Sequence, residues 1–242
     1  MTAGLRVQTL THRYGKKLAL DGVSFSVERG AFCALLGPNG AGKSTLFALM
    51  TRLFVPESGS ISIDGISLHD NPRAALGKIG VVFQQPTLDL DLSVRRNLVY
   101  FAALHGLSGR DAGQRIDSAL GRLGMAERAG EKVRALNGGH RRRMEIARAL
   151  IHAPSVLLLD EPTVGLDAAT RQAITGHVHD LAETSGLTVL WATHLVDEIR
   201  ASDRLVIMHK GCVLADGTSA QIAGAAPLAD RFLQMTAAGE VA

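Results

Sequence analysis

Residues 31–45 read AFCALLGPNGAGKST, and the order of residue types in this stretch decides the fold. AFCALLG is continuously apolar, as a strand buried on both faces must be. It runs straight into a glycine-rich turn, after which the sequence predicts a helix from Ser44 to about Leu53. The turn itself, GPNGAGKST, has the spacing GxxxxGK[ST]. Gly37, Pro38, Asn39, Gly40, Ala41, Gly42, Lys43, Ser44 and Thr45 therefore form a candidate phosphate-binding loop. Glycines let successive N–H groups turn inward around phosphate oxygens, and the helix N-terminus adds the positive end of its dipole. Lys43 is placed to neutralise β- and γ-phosphates, and Ser44 to coordinate Mg²⁺.

Working outward, the same apolar character returns in IGVVF (79–83), SVLLLD (155–160), LTVLWAT (187–193) and RLVIM (204–208). Buried strands separated by helical segments predict an α/β fold with a parallel sheet covered by helices on both faces. SVLLLDEP ends in two acids. Asp160, at the carboxyl end of a buried strand beside the phosphate loop, is placed to hold Mg²⁺, and Glu161 to polarise an attacking water. Nearer the N-terminus, Leu5-Val7-Thr9, Val23-Phe25-Val27 and Ile61-Ile63 alternate with period two and predict antiparallel strands with one wet face.

From about Pro86 to Ala153 the pattern becomes helical. Ser93 is a candidate N-cap followed by Val94, Leu98 and Phe101, and the stripe repeats at Ile116, Ala119, Leu120 and Leu123. The last stretch, from Ser219 to Ala242, offers a short amphipathic helix around Ala229–Met235. The expected organisation is one domain. A β subdomain and the first part of the core span 1–85, and a helical subdomain spans 86–153. The second part of the core spans 154–218, with a short tail over 219–242.

The 242 residues have room for one large α/β domain or two small ones, and 46% hydrophobic with 20% charged residues excludes general disorder. No apolar run approaches the roughly 18 residues needed to cross a bilayer. With no apolar leader after MTAGLRVQTL, the expected location is the cytoplasm. Cys33 and Cys212 lie far apart in apolar stretches and read as core residues. Basic and acidic residues, 26 against 23, are too evenly balanced to demand a nucleic-acid partner, and 4% aromatics leave little for base stacking. No nucleic acid is expected.

The run LNGGHRRRMEIARAL, Leu136 to Leu150, separates this chain from other phosphate-loop proteins. Here the sequence resembles the ATP-binding-cassette (ABC) family, whose signature reads LSGGQ followed by a basic amphipathic helix. Further family landmarks follow in order: Tyr14, the aromatic that stacks on adenine; Gln84, the Q-loop glutamine; Asp167 in VGLD, the D-loop; and His194, the switch histidine after WAT. The resemblance implies a P-loop NTPase core of the RecA-like type with an N-terminal antiparallel β subdomain and an inserted helical signature subdomain. It also implies hydrolysis of ATP with Mg²⁺ held by Ser44, Gln84 and Asp160. Lys43, Gln84 and His194 offset charge on the transferred phosphoryl group while Glu161 orients water.

In the family, Asn137, Gly138, Gly139 and Asp167 belong to the surface that meets the nucleotide of the opposite subunit in a head-to-tail homodimer or heterodimer. The family reading adds a separate polytopic membrane permease. The chain is then peripheral on the cytoplasmic face and docks through residues just after Gln84 to about Phe101. The short tail, the wording of the helical subdomain and PTVGLD look more like the type-2 exporter branch than an importer. The signature run is also similar to that of the ATPase associated with pyrroloquinoline-quinone-dependent alcohol oxidation systems.

Two positions depart from the pattern: Asn137 stands where the family has Ser, and His140 where it has Gln. The Asn137 amide retains a donor to phosphate and a capping oxygen, so activity is expected to persist. His140 reads as a simple tolerated substitution, the alternative being a ring that gains charge near neutral pH and favours phosphate binding. Arg141–Arg143 read as a solvated helix face, with Met144, Ala147 and Ile151 as the apolar stripe. The alternative is a non-transport ABC ATPase in DNA maintenance or translation. Against it, only about ninety residues separate loop from signature with no sustained heptads, and the chain holds one cassette. A stand-alone kinase or GTPase does not explain Leu136 to Leu150.

Overall fold

The computed structural model describes residues 3–238. Its first strands, β1 (Ala3–Tyr14) and β2 (Lys17–Glu28), form a long antiparallel ribbon. The buried strand expected over 31–37 is β3 (Phe32–Leu36), and the phosphate loop leads from it into α1 (Lys43–Met50). β4 (Ser58–Ile63) and β5 (Ile66–Ser67) extend the ribbon into a sheet of order β2-β1-β4-β5. The chain continues through α2 (Pro72–Leu76), β6 (Ile79–Val82), α3 (Val94–Leu104), α4 (Gly109–Arg122) and α5 (Gly138–Leu150). It then returns to the core as β7 (Val156–Asp160), α6 (Ala168–Ser185), β8 (Thr188–Thr193) and β9 (Arg204–His209). β10 (Cys212–Thr218), α7 (Ser219–Ala223) and α8 (Leu228–Ala238) complete the described residues.

The second sheet has the order β10-β9-β3-β8-β7-β6. Its strands run parallel from β9 to β6, with β10 antiparallel on the edge. Every residue of β3, β7 and β8 is buried, and alternate residues face opposite cores. Phe32, Ala34 and Leu36 point toward the helical side with Trp191 and the stripe of α5; Cys33 and Leu35 point toward α1 and the antiparallel sheet. This period-two division is why the sequence reads as unbroken apolar runs. Cys33 is free and packed in the core, where burial pushes its thiol pKa well above the ordinary value; Cys212 is free and half-buried.

Several local expectations change. The alternation at Leu5 and Val7 does not continue to Thr9, which is exposed with φ +44° and donates its N–H to Ser24 Oγ. The resulting irregularity lets Leu10 become the next buried residue. The first helix begins one residue earlier than Ser44 and stops at Met50 rather than Leu53. The Thr51 hydroxyl bonds back to Phe47 O, and Arg52 leaves the helix with φ +57°. Ser93 caps α3 by accepting from Arg96 N–H, and Ile116, Ala119, Leu120 and Leu123 are buried. The amphipathic tail helix runs Leu228–Ala238, with Leu228, Phe232 and Met235 packed against the core; residues 239–242 of the expected tail lie outside the described residues. No helix among the described residues is long and apolar enough to cross a membrane.

Candidate active site

The parallel strands β3, β6, β7 and β8 all end on one side of the sheet, so their carboxyl ends gather groups far apart in sequence. Gly42, with φ +105°, caps α1 in the left-handed region open to glycine. That turn aims Lys43 back over the loop, where its Nζ donates to Gly37 O at 2.7 Å and Pro38 O at 3.2 Å. The same ammonium lies 3.2 Å from Glu161 Oε1. Glu161 sits just past β7 with φ +46°, and its N–H donates to Ala192 O of β8 at 3.0 Å. A left-handed non-glycine residue at this point costs roughly 1–2 kcal/mol. The neighbouring strand therefore holds the carboxylate in a conformation the residue would not choose alone.

Two further groups converge on that carboxylate. Gln84, just beyond β6, donates from Nε2 to Glu161 Oε2 at 3.3 Å. His194, just beyond β8, places Nδ1 3.4 Å from Glu161 Oε1, without hydrogen-bond geometry. Together with Asn39, Gly40, Gly42, Ser44, Thr45 and Tyr14 they line a cavity of about 910 Å³. Tyr14 stands at its rim, 41% exposed, with its ring edge-on to Phe54 and His12. Gly37, Pro38 and Ala41 form the back of the loop, tied by Gly37 N–H to Thr193 O and Ala41 N–H to Pro38 O.

Asp160 lies beneath, at the end of β7. Burial raises its carboxyl above the ordinary value, opposed by a hydrogen bond from Ser44, and its Oδ1 has no partner among the described residues. Lys17 and Lys210 also line the cavity, brought in on the β1–β2 and β9–β10 turns. Neither had a local signal: Lys17 follows Lys16 at the start of β2 and Lys210 lies in the β9–β10 turn, and only the sheet order places them here.

Asn137, Gly138, Gly139 and Asp167 do not line this cavity; they form a second cluster. Asn137 caps α5, its side chain accepting from His140 N–H at 2.9 Å, so the departure from Ser keeps the cap. Asp167 caps α6 by accepting from Thr170 N–H at 2.9 Å and Thr170 Oγ1 at 2.6 Å. The two caps touch: a Cβ at Gly139 would lie 2.5 Å from Thr170 Cγ2, and one at Gly138 would lie 3.1 Å from Leu166.

One expectation about the signature helix is corrected, and one of two alternatives at His140 is disfavoured. Burial, then the charges of Arg128 and Arg143, lowers the His140 pKa, which disfavours the charged ring and leaves a tolerated replacement of Gln as the reading of this departure. Arg141–Arg143 is not a uniformly solvated face. Arg142 is buried and donates to Phe83 O and Gln84 O, while Arg141 donates to Val133 O and Arg134 O. Met144, Ala147 and Ile151 are buried as expected.

The family model described as ABC transporter matches residues 20–164. The chain belongs to the ABC transporter family. It is 36% identical over 236 residues to the linearmycin resistance ATP-binding protein LnrL of Bacillus subtilis, covering 97% of this chain and 75% of that protein. With the daunorubicin resistance ATP-binding protein DrrA3 of Streptomyces coeruleorubidus it shares 41% identity over 214 residues, 87% of this chain and 66% of the other. The dimeric post-hydrolysis structure of the ATP-binding cassette MJ0796, bound to ADP and Pi, superposes with a TM-score of 0.77 at 30% identity, covering 88% of this chain and 98% of that one. The chain is thus an ATP-binding cassette of the ABC ATPase class, with the P-loop fold.

Proposed function

We propose that this cassette hydrolyses MgATP between two cassettes, a second copy or a paralogue, and that closure of the pair drives export through a separate polytopic permease. Support for export comes from the names of LnrL and DrrA3, both drug-resistance ATP-binding proteins. Support for a paired site comes from the dimeric MJ0796 cassette. The reading places the chain on the cytoplasmic face of the membrane, docked through the segment after Gln84, where Leu90, Val99 and Tyr100 are exposed apolar residues. No nucleic acid takes part.

The observation that carries the chemistry is the convergence of Lys43, Gln84 and His194 on the Glu161 carboxylate, all within 3.2 to 3.4 Å. A triphosphate on the loop draws the Lys43 ammonium to its β- and γ-oxygens, and Glu161 then accepts a hydrogen bond from the attacking water and aligns it. Lys43, Gln84 and His194 stabilise the charge that develops on the transferred phosphoryl group. Tyr14 stacks on the adenine. Asn137, Gly138, Gly139 and Asp167 meet the nucleotide of the opposite cassette.

The unpartnered, buried Oδ1 of Asp160, with the Ser44 hydroxyl and the Gln84 amide, is the hard oxygen donor set that suits Mg²⁺. These three residues would hold the ion, which when bound supplies positive charge beside the β- and γ-phosphate oxygens.

The test is co-purification of tagged Glu161→Gln from gently detergent-solubilised cells with MgATP. The expected result is a polytopic membrane protein carrying two cassettes. Recovery of ribosomes or DNA in its place would reverse the reading.

A further inference from the structure

The charged side chains on the inner side of α5 have no part in the chemistry derived above. Arg142 and Glu145 form a buried pair, Nη1 to Oε2 at 2.7 Å. Arg142 Nη1 also donates to Phe83 O at 2.8 Å, and Nη2 to Gln84 O at 3.0 Å. The other oxygen of Glu145 accepts from Thr87 N–H at 3.0 Å. Further along the helix, Arg148 Nη1 donates to Thr87 O at 3.0 Å and Nη2 to Thr87 Oγ1 at 2.5 Å. Three side chains of one helix thus hold four main-chain groups of residues 83–87. Gln84 lies inside that span, and its own side chain reaches Glu161.

A buried ion pair is rarely the most stable way to fill a core, because desolvation of both charges offsets their attraction. Here the pair is closed at 2.7 Å, and its remaining hydrogen-bonding capacity goes to two carbonyls and an N–H of the 83–87 segment. The helix that carries it begins at the signature, with Asn137 as its cap, and an α-helix transmits displacement along its axis as a stiff rod.

We propose that Arg142, Glu145 and Arg148 are positioning residues, a clamp through which the placement of the signature end of α5 sets Gln84 against Glu161. The clamp rests on the roles given to Gln84 and the signature under the proposed function. Engagement of the signature by an opposite nucleotide and readiness of Gln84 in the clamp's own site become one event. Arg142 does not line the cavity, so it acts through the Gln84 main chain.

Arg142→Lys keeps a cation beside Glu145 but loses the planar fork that reaches two carbonyls and a carboxylate together. Its kcat is expected to fall about tenfold while KM for ATP moves less than about twofold, because Tyr14 and residues 37–45 are untouched. The decisive measurement is a cycle of wild type, Gln84→Ala, Arg142→Lys and the double variant, each first checked for an unaltered thermal transition. If Arg142 acts through Gln84, the double variant is no slower than Gln84→Ala alone. Glu145→Gln, which keeps an acceptor for Thr87 but not the charge, is expected to show the same non-additivity and serves if Arg142→Lys fails to fold. Multiplying losses in the double variants, or wild-type kcat in Arg142→Lys, would overturn the clamp while leaving Gln84 in the reaction. Unchanged turnover in Gln84→Ala would remove Gln84 from the reaction and the clamp with it.

Discussion

At the carboxyl ends of β3 and β7 the reacting groups are set largely by main chain close in sequence or paired across the sheet. Lys43 folds onto carbonyls six and five residues before it, and the Glu161 N–H is held by the neighbouring strand. Along α5 the corresponding task falls to long side chains. Arg142 reaches carbonyls 59 and 58 residues away, Arg148 reaches Thr87 61 residues away, and just beyond the helix His152 reaches Ile79 O 73 residues away. Main-chain geometry tolerates change around it because it is specified many times over. A side chain that spans two elements is specified once, so a single substitution releases the contact.

This difference makes the signature region the more fragile of the two, and the sharpest way to break the comparison is at Gly139. An added methyl there meets Thr170 Cγ2 at 2.5 Å, and Thr170 is the residue whose hydroxyl and N–H hold Asp167. Gly139→Ala is expected to slow turnover about tenfold, from an overpacking cost of roughly 1–3 kcal/mol, with ATP binding by the isolated chain unaltered. Thr170→Ser removes the clashing methyl and keeps the hydroxyl, so it is expected to restore most of the activity. Wild-type turnover in Gly139→Ala would show that the two caps can separate freely and that the contact has no functional weight.

A smaller effect sharpens the same comparison at the other end of α5. Burial, then the stacked His105 ring 4.0 Å away, lowers the His152 pKa from 6.5 to about 4, and His152 Nε2 is hydrogen-bonded to Ile79 O at 2.9 Å. Between about pH 4 and 6.5 the unfolded chain binds more protons at this residue than the folded one. Its contribution to stability is therefore complete above pH 6.5 and lost as pH falls toward 4. Urea midpoints at pH 5 and pH 7 are expected to differ less in His152→Asn than in the wild-type chain. An unchanged difference would mean that the junction of α5 with β6 does not sense this proton.

What was legible in the sequence follows the same division. The apolar runs that became β3, β6, β7, β8 and β9, with the phosphate loop and Asp160–Glu161 at their ends, could be read because each lies within a short, patterned stretch, whereas Gln84 and His194 came only with the family resemblance. The interruption at Thr9 could not, since it depends on the partner strand offering Ser24 Oγ to an N–H that would otherwise join a ladder. Arg142 could not be distinguished from Arg141 and Arg143 by residue type. Three consecutive arginines look alike until α5 is laid beside the carbonyls of Phe83 and Gln84. Lys17 and Lys210 reach the cavity only because β1, β2, β9 and β10 bring two turns to its edge. Local pattern located the chemistry, and long-range packing determined which further side chains support it.

The central claim is that Glu161, at the meeting point of Lys43, Gln84 and His194, aligns the attacking water. The most direct test is the steady-state ATPase rate of Glu161→Gln beside its nucleotide affinity. The variant keeps the shape of the side chain and loses the charge, so ATP binding is expected to persist while turnover falls by roughly 10²-fold or more, the scale of a general base. Turnover close to that of the wild-type chain would contradict the account and transfer the alignment of water to another group in the cavity.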